Sequence, residues 1–413
     1  MEFHKTYDSG LKLIIKKMDG LFSVSTGILV GVGSRNESKE ENGISHFIEH
    51  MNFKGTKNYS AFTLSEAFDE IGSQVNAFTS KEITCYYVKS TNHSLKTSFK
   101  LLCDLFLNST YLPEEIEKEK GVVLEEINMC EDTPEDVCLD NLALAHFGDE
   151  GLGRCVLGPS KNIKSFCREN IIDYLKDYYN SDNIVISFAG NITPSQAESL
   201  VEEYFLPFVS TEKSKNQTVV NKTNLGKVIK KNKDIEQNHL AISFDGIAYD
   251  AEFFNESSLF NTVLGGGMSS RLFQRIREEL GLCYTVYSYP SAYRTVGSLA
   301  IYAGLNPNQT NEAYDAIFKL LKELKNTGIS QKEYEKGKAQ VLSSYAFGQE
   351  STASQMMLFG KYLLFTGKLF DFENEVYRIE NITHKKVNEL VDKINFDKFS
   401  LALVGKTAEK TKF

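Results

Sequence analysis

The 413-residue sequence predicts an α+β protein made of two copies of one sheet-and-helix unit. Three observations carry this. The chain is longer than one ordinary hydrophobic core supports, so two domains are the natural expectation. Strand-like and helix-like runs follow one another in much the same order on both sides of a polar segment. The runs that close the two halves also look alike, Ile184-Val-Ile-Ser-Phe-Ala-Gly190 against Leu401-Ala-Leu-Val-Gly405.

The first half opens with strand-like runs over 11–16 and 22–31, and helical periodicity follows through 43–54 and 63–71. Alternating runs at 74–79 and 84–89 read as strands, and 95–107 and 113–131 are long amphipathic stretches. Helical sequence fills the region to about 179, and 183–189 reads as a buried closing strand. Residues 210–227 are rich in Lys, Asn and Thr and weakly apolar, which marks a linker. The domains are accordingly placed at 1–212 and 228–413, joined by 213–227. Beyond it come a strand at 239–244, helices around 253–264 and 271–280, strands at 283–289 and 298–302, long helices at 311–327 and 331–348, and a closing strand at 400–404.

A net charge of −9 argues against a nucleic-acid binder, which needs a basic face. The most apolar short run, 27–32, is far below bilayer-spanning length, so no membrane segment is expected. The first residues show neither a secretory h-region nor an Arg-rich transit pattern. Seven scattered cysteines, with no C-x-x-C pair, fit thiols in a reducing compartment better than a disulfide framework. A cytoplasmic location is the expectation. Gly265–Gly267 is not followed by G-K-[ST], and Gly31-Val-Gly33 lacks a third glycine, so both nucleotide-loop readings are weak.

The chemistry lies in His46-Phe47-Ile48-Glu49-His50. Residues four apart share a helix face, so His46 and His50 can grip one metal ion while Glu49 reaches a water beside it. The order H-x-x-E-H is the inverzincin arrangement. A hydrolytic zinc site usually has three protein ligands, so a third must come from elsewhere. Within 119–131, Glu126 falls on a helical stripe with Val122, Val123 and Cys130, and Glu119 lies two turns earlier on it, whereas Glu125 points elsewhere. A carboxylate on an apolar stripe is costly unless paired or metal-bound. Glu126 is therefore the expected ligand and Glu119 an orienting group. Histidine spacing alone does not separate a metal site from ordinary helical histidines, and a Glu-rich helix is commonly a solvated face.

Three segments taken together resemble the pitrilysin-type metallopeptidases: His46 to Thr56, Ile71 to Ser80, and Val123 to Pro134. That family includes insulin-degrading enzyme and the mitochondrial processing peptidase, and the chain is most similar to a small bacterial branch related to the β subunit of the latter. The resemblance spans essentially the whole chain, and seventy-five residues lie between His50 and Glu126, matching the family interval. It implies one Zn²⁺ per chain held by His46, His50 and Glu126, with Glu49 as general base and Glu119 as an additional acidic group. It implies further that Asn76, Ala77, Phe78 and Thr79 form a strand whose edge pairs with a peptide backbone. In the second half, Gly265 to Tyr284 resembles a family signature in which an Arg and a Tyr reach the substrate and the developing oxyanion; Arg277 and Tyr284 match them. Cys283 stands where many relatives carry Ala.

What the resemblance implies is a zinc endopeptidase acting on short or unfolded peptides. Its two homologous α/β-roll domains would face each other as a clamshell around a closed chamber. Metal-activated water would attack the scissile carbonyl, and Glu49 would shuttle the proton. It also implies a homodimer, or a heterodimer with a motif-less homologous chain. The competing expectation is a catalytically silent assembly subunit, against which the intact His46/Glu49/His50/Glu126 set argues.

Overall fold

The computed structural model describes residues 2–215 and 223–413. Part of the expected 213–227 linker thus lies outside the described residues. Among the described residues there are two sheets. The first contains β1 (Glu2–Thr6), β2 (Lys12–Lys17), β3 (Ser23–Val30), β4 (Gln74–Thr79), β5 (Thr84–Thr91) and β6 (Ile184–Gly190). The second contains β7 (Val228–Asn232), β8 (Asn238–Gly246), β9 (Cys283–Ala292), β10 (Gly297–Leu305) and β11 (Ser400–Gly405).

The spatial orders are β1-β2-β6-β3-β5-β4 and β7-β11-β8-β10-β9. With β1 set aside, both sheets run first, last, second, fourth, third in chain order. In each, one pair is parallel, β2 with β6 and β7 with β11, and the remaining pairs are antiparallel. The repeat expected from the sequence is present at the level of topology.

β1 and β7 were not foreseen. EFHKT and VIKKN are short and charged, as suits a sheet edge, and become strands by pairing with β2 and β11 rather than by any apolar alternation. The closing strands β6 and β11 are buried along their whole length, which is why both read as near-continuous apolar runs.

Each sheet is covered on both faces. In the first, Val24, Ile28, Val30, Ile186 and Phe188 enter the main core beneath the helices of the first half. The opposite face presents Ser25, Gly27, Leu29 and Ser187 to the helix Thr352–Thr366. Ser25 and Thr352 share a hydroxyl hydrogen bond of 2.8 Å, and the Ser187 hydroxyl donates to the Met356 carbonyl at 2.7 Å. A Cβ on Gly27 would lie 2.4 Å from Met356 Sδ, so helix and sheet are in close approach there. In the second sheet, Leu240, Ile242, Phe244, Leu401 and Leu403 face its main core. Ala241, Ala300 and Ala402 on the other face meet Val137, Cys138 and Leu142 of the helix Pro134–Phe147.

The compact units are therefore not contiguous in sequence. One comprises Met1–Ile127, Cys155–Thr218 and Phe347–Phe370; the other comprises Asn128–Arg154, Val219–Ala346 and Asp371–Phe413. Each half of the chain supplies one covering helix to the other unit's sheet. A single cut at 213–227 does not describe this division. Residues 273–279, expected within a helix, form a π-helical turn, Phe273–Glu279. Among the described residues, no helix is long and apolar enough to cross a membrane.

Candidate metal centre

The helix Ile44–Asn52 carries the first two expected ligands. It begins at Gly43, whose φ of 102° suits glycine and strains other residues. Its free N-terminal amides are met by Glu37, whose buried carboxylate accepts from the N–H groups of Gly43 (2.8 Å) and Ser45 (2.9 Å) and from the Asn42 amide (2.9 Å). An anion at a helix N-terminus is favourable both for its hydrogen bonds and for the helix dipole. Burial nevertheless pushes the Glu37 carboxyl up from the usual range, and the three hydrogen bonds work against that shift. Ile44, Phe47, Ile48 and Met51 anchor the helix in the core. This leaves His46 and His50 on one side, with ring centroids 4.6 Å apart.

Glu126 comes from the helix Pro113–Asp132. Its Oε2 lies 3.6 Å from His46 Nε2 and 3.4 Å from His50 Nε2, and one ligand atom from each residue fits within 4.8 Å of the others. Ligands about 2.0–2.1 Å from a tetrahedral zinc are separated by about 3.4 Å, so the spacing suits that ion. Glu126 Oε2 is buried and has no hydrogen-bond partner among the described residues. An ionised oxygen left so would be costly, which fits a cation among the three groups. The helical projection held in part: Glu119 and Val123 are buried and Glu125 is exposed, but Val122 faces outward.

Glu119 is 2 % exposed and does two jobs. One oxygen pairs with His50 Nδ1 at 2.8 Å, and the other with Lys54 Nζ at 2.7 Å. Burial alone would raise its pKa, but the bonds to His50 and Lys54 outweigh that and hold it below the usual carboxylate range. For His50, burial lowers the pKa, and the hydrogen bond to Glu119 with the charges of Glu126 and Glu49 more than reverses it. His46 is pushed down to about 4 by burial and by the neighbouring His50, and is neutral as a ligand must be.

Glu49 projects from the same helix, and its Oε2 accepts the Thr79 hydroxyl at 2.5 Å. Burial raises its pKa, which Thr79 partly offsets; the carboxylate is a stronger base than an exposed one. Thr79 ends β4, which among the described residues pairs only with β5 and so is the sheet's edge strand. Asn76, Ala77 and Phe78 precede it there, and the Asn76 side chain accepts the Ala77 N–H at 2.8 Å. Arg277 and Tyr284 belong to the other unit. They are brought together with each other, the guanidinium 5.1 Å from the Tyr284 ring centre and 4.4 Å from that of Phe273, and Tyr284 is 77 % exposed.

Sequence reasoning missed Glu37, Lys54 and the buried Arg35–Glu82 pair. One signal for Glu37 was available: the histidine helix starts at a glycine, with no capping Ser, Thr, Asp or Asn at that position.

Comparison with known proteins bears on this geometry. Residues 14–160 match the family model described as insulinase, peptidase family M16, and 165–341 match the peptidase M16 inactive domain. A zinc protease of Bacillus subtilis described as uncharacterized, YmxG, is 40 % identical over 401 residues, covering 97 % of both chains. The chain belongs to peptidase family M16. Other M16 relatives carry the same description: one from Rickettsia felis at 35 % identity (96 % of both chains) and one from Streptomyces coelicolor at 32 % (98 % of this chain, 90 % of the relative). Among solved structures, a protease from Helicobacter pylori superposes with a TM-score of 0.91 at 22 % identity, covering 98 % of this chain and 99 % of that one. A Pseudomonas fluorescens structure described as a peptidase M16 inactive domain also gives 0.91, at 18 % identity and 98 % coverage of both. At these identities the likeness is one of M16 fold. The inactive-domain match covers much of the half that lacks the histidine motif.

Proposed function

We propose that this M16 chain is a zinc-dependent endopeptidase that hydrolyses short or unfolded peptides admitted to an enclosed chamber. The observation that carries it is the convergence of His46 Nε2, His50 Nε2 and Glu126 Oε2, the last without a hydrogen-bond partner among the described residues, with the carboxylate of Glu49 on the histidine helix. When bound there, zinc supplies Lewis acidity to a water and to the scissile carbonyl. Glu49 accepts the proton of the attacking water on its carboxylate and returns it to the departing amine nitrogen. Its burial and the Thr79 hydrogen bond hold it for that exchange. Glu119 fixes the His50 ring through Nδ1, so that Nε2 carries the lone pair. The free edge of β4 can take an extended peptide as an added strand, which reads backbone rather than sequence.

We assign Arg277 and Tyr284 to the substrate and its oxyanion on the family resemblance alone. The same resemblance supports a dimer, with a second copy or with a motif-less homologue. The free thiols Cys85, Cys103, Cys138, Cys167 and Cys283 support a cytoplasmic setting. The test is metal analysis and cleavage mapping of the purified chain with and without a chelator, beside Glu49→Gln. Expected are chelator-sensitive cleavage by the wild type, and zinc retention with turnover at least about a hundredfold lower in the variant. Cleavage that survives complete zinc removal, or a fully active Glu49→Gln, overturns the proposal.

A further inference from the structure

We infer that Thr79 is a positioning residue for Glu49, and that the buried Arg35–Glu82 pair holds Thr79 in place. The inference rests on the reading of Glu49 as proton acceptor. The helix fixes the Glu49 backbone, but a glutamate side chain retains several torsions, and proton transfer needs the carboxylate in one place. The structure supplies the constraint from another element. Thr79 Oγ1 donates to Glu49 Oε2 at 2.5 Å. Threonine is β-branched and stiff at χ1, so the direction of its hydroxyl follows from where the backbone of β4 is held.

That backbone is held at the turn immediately after Thr79. Ser80 and Ile83 close the turn, N–H to carbonyl at 2.8 Å. The segment 33–35 is laid against it. Ser34 N–H donates to the Ser80 carbonyl at 3.2 Å, and Arg35 N–H to the Lys81 carbonyl at 2.8 Å. A Cβ on Gly33 would fall 2.2 Å from the Ser80 oxygen, so the approach requires glycine. The Arg35 guanidinium then pairs with Glu82 at 2.5 Å, with both side chains under 5 % exposed. A buried ion pair is a poor source of stability, since apolar replacements of similar volume are often neutral or better. Orientation is the use that fits a pair placed three residues beyond the hydroxyl that touches Glu49. A fourth polar tie, the Thr84 hydroxyl to the Val32 carbonyl at 3.0 Å, binds the same two segments.

The test compares Thr79→Val, which keeps the shape, with Thr79→Ser, which keeps the hydroxyl, on a peptide the wild type cleaves. Expected for Thr79→Val is a kcat about tenfold or more below wild type, with KM, zinc content and Tm unchanged. Thr79→Ser should recover most of that kcat. Arg35→Lys should lower kcat in the same way and add little to Thr79→Val in the double variant. If Arg35→Lys does not fold, the Thr79 series decides alone. A Thr79→Val enzyme with wild-type kcat, a loss confined to KM, or equal losses in Val and Ser would overturn the inference. A wild type without chelator-sensitive cleavage would instead sink the peptidase reading.

Discussion

Replacing Glu119 by Gln probes how the metal centre is held, because the two side chains differ by one atom. In the structure the two Glu119 oxygens take His50 Nδ1 at 2.8 Å and Lys54 Nζ at 2.7 Å. Glutamine offers a single oxygen. Turned toward His50, it sets its NH₂ against the Lys54 ammonium, donor against donor. Turned toward Lys54, it sets its NH₂ against Nδ1, which must then accept; the ring proton moves to Nε2, the nitrogen 3.4 Å from Glu126 that would face the metal. The first orientation keeps the ligating tautomer but sets two donors against each other, and the second loses that tautomer. Loss of such an orienting partner weakens metal binding about 10- to 100-fold, or about 1.4–2.7 kcal/mol. The assay is a zinc titration against a chelator of known affinity at fixed pH. Lys54→Met serves as the control that leaves the His50 contact intact. An affinity for Glu119→Gln within twofold of wild type would refute this account of the site.

Two further expectations concern stability. Gly360→Leu should destabilise by about 1–3 kcal/mol through overpacking, because a Cβ there already meets Leu29 Cδ1 at 2.9 Å and Ser187 Cβ at 3.0 Å. Gly121→Ala, in open space on an exposed helix face, should stabilise by about 0.5–1 kcal/mol; thermal unfolding of both variants checks the pair, and equal shifts would contradict the packing. The Glu333 carboxyl supplies a pH dependence. Burial would raise its pKa, but hydrogen bonds from Arg271 and Ser330 outweigh that and bring it from 4.5 down to about 2. A depressed folded pKa stabilises above the unfolded value and is lost as pH falls toward the folded one. The stability gap between wild type and Glu333→Gln, about 2 kcal/mol near neutrality after discounting for partial exposure, should close between pH 4.5 and 2. Denaturant unfolding at stepped pH reads it, and a constant gap would count against the ion pair.

The site was legible where a single helix sets geometry. His46 and His50 share a face by helical spacing, and Glu126 stands out as an acid on an apolar stripe. Glu37 was not legible, since nothing local says that a loop glutamate six residues upstream will turn back onto the helix N-terminus. The role of Thr79 was read only as part of an edge strand, because its contact with Glu49 joins residues thirty apart, with the helix Ala61–Glu70 between them. In the fold, strands with alternating burial could be read, while β1 and β7 exist through their partners. The helix Thr352–Thr366 gave no clear helical period because its sequence, TASQMMLFGKYLLFT, is apolar on several sides. Its partner sheet lies more than 160 residues away, beyond any local pattern.

The covering helices also bear on how the chain can be made. When a ribosome has delivered the first sheet and its core, the face bearing Gly27, Leu29 and Ser187 still lacks its cover, which arrives only with residues 352–366. Chain emerging at about 5–20 residues per second leaves that face uncovered for several seconds or more. The nascent protein therefore carries that face, Leu29 included, uncovered until residues 352–366 have been made. Native closure of the metal-bearing unit thus waits on residues 352–366, and a chain cut before residue 352 leaves one face of the first sheet without its cover.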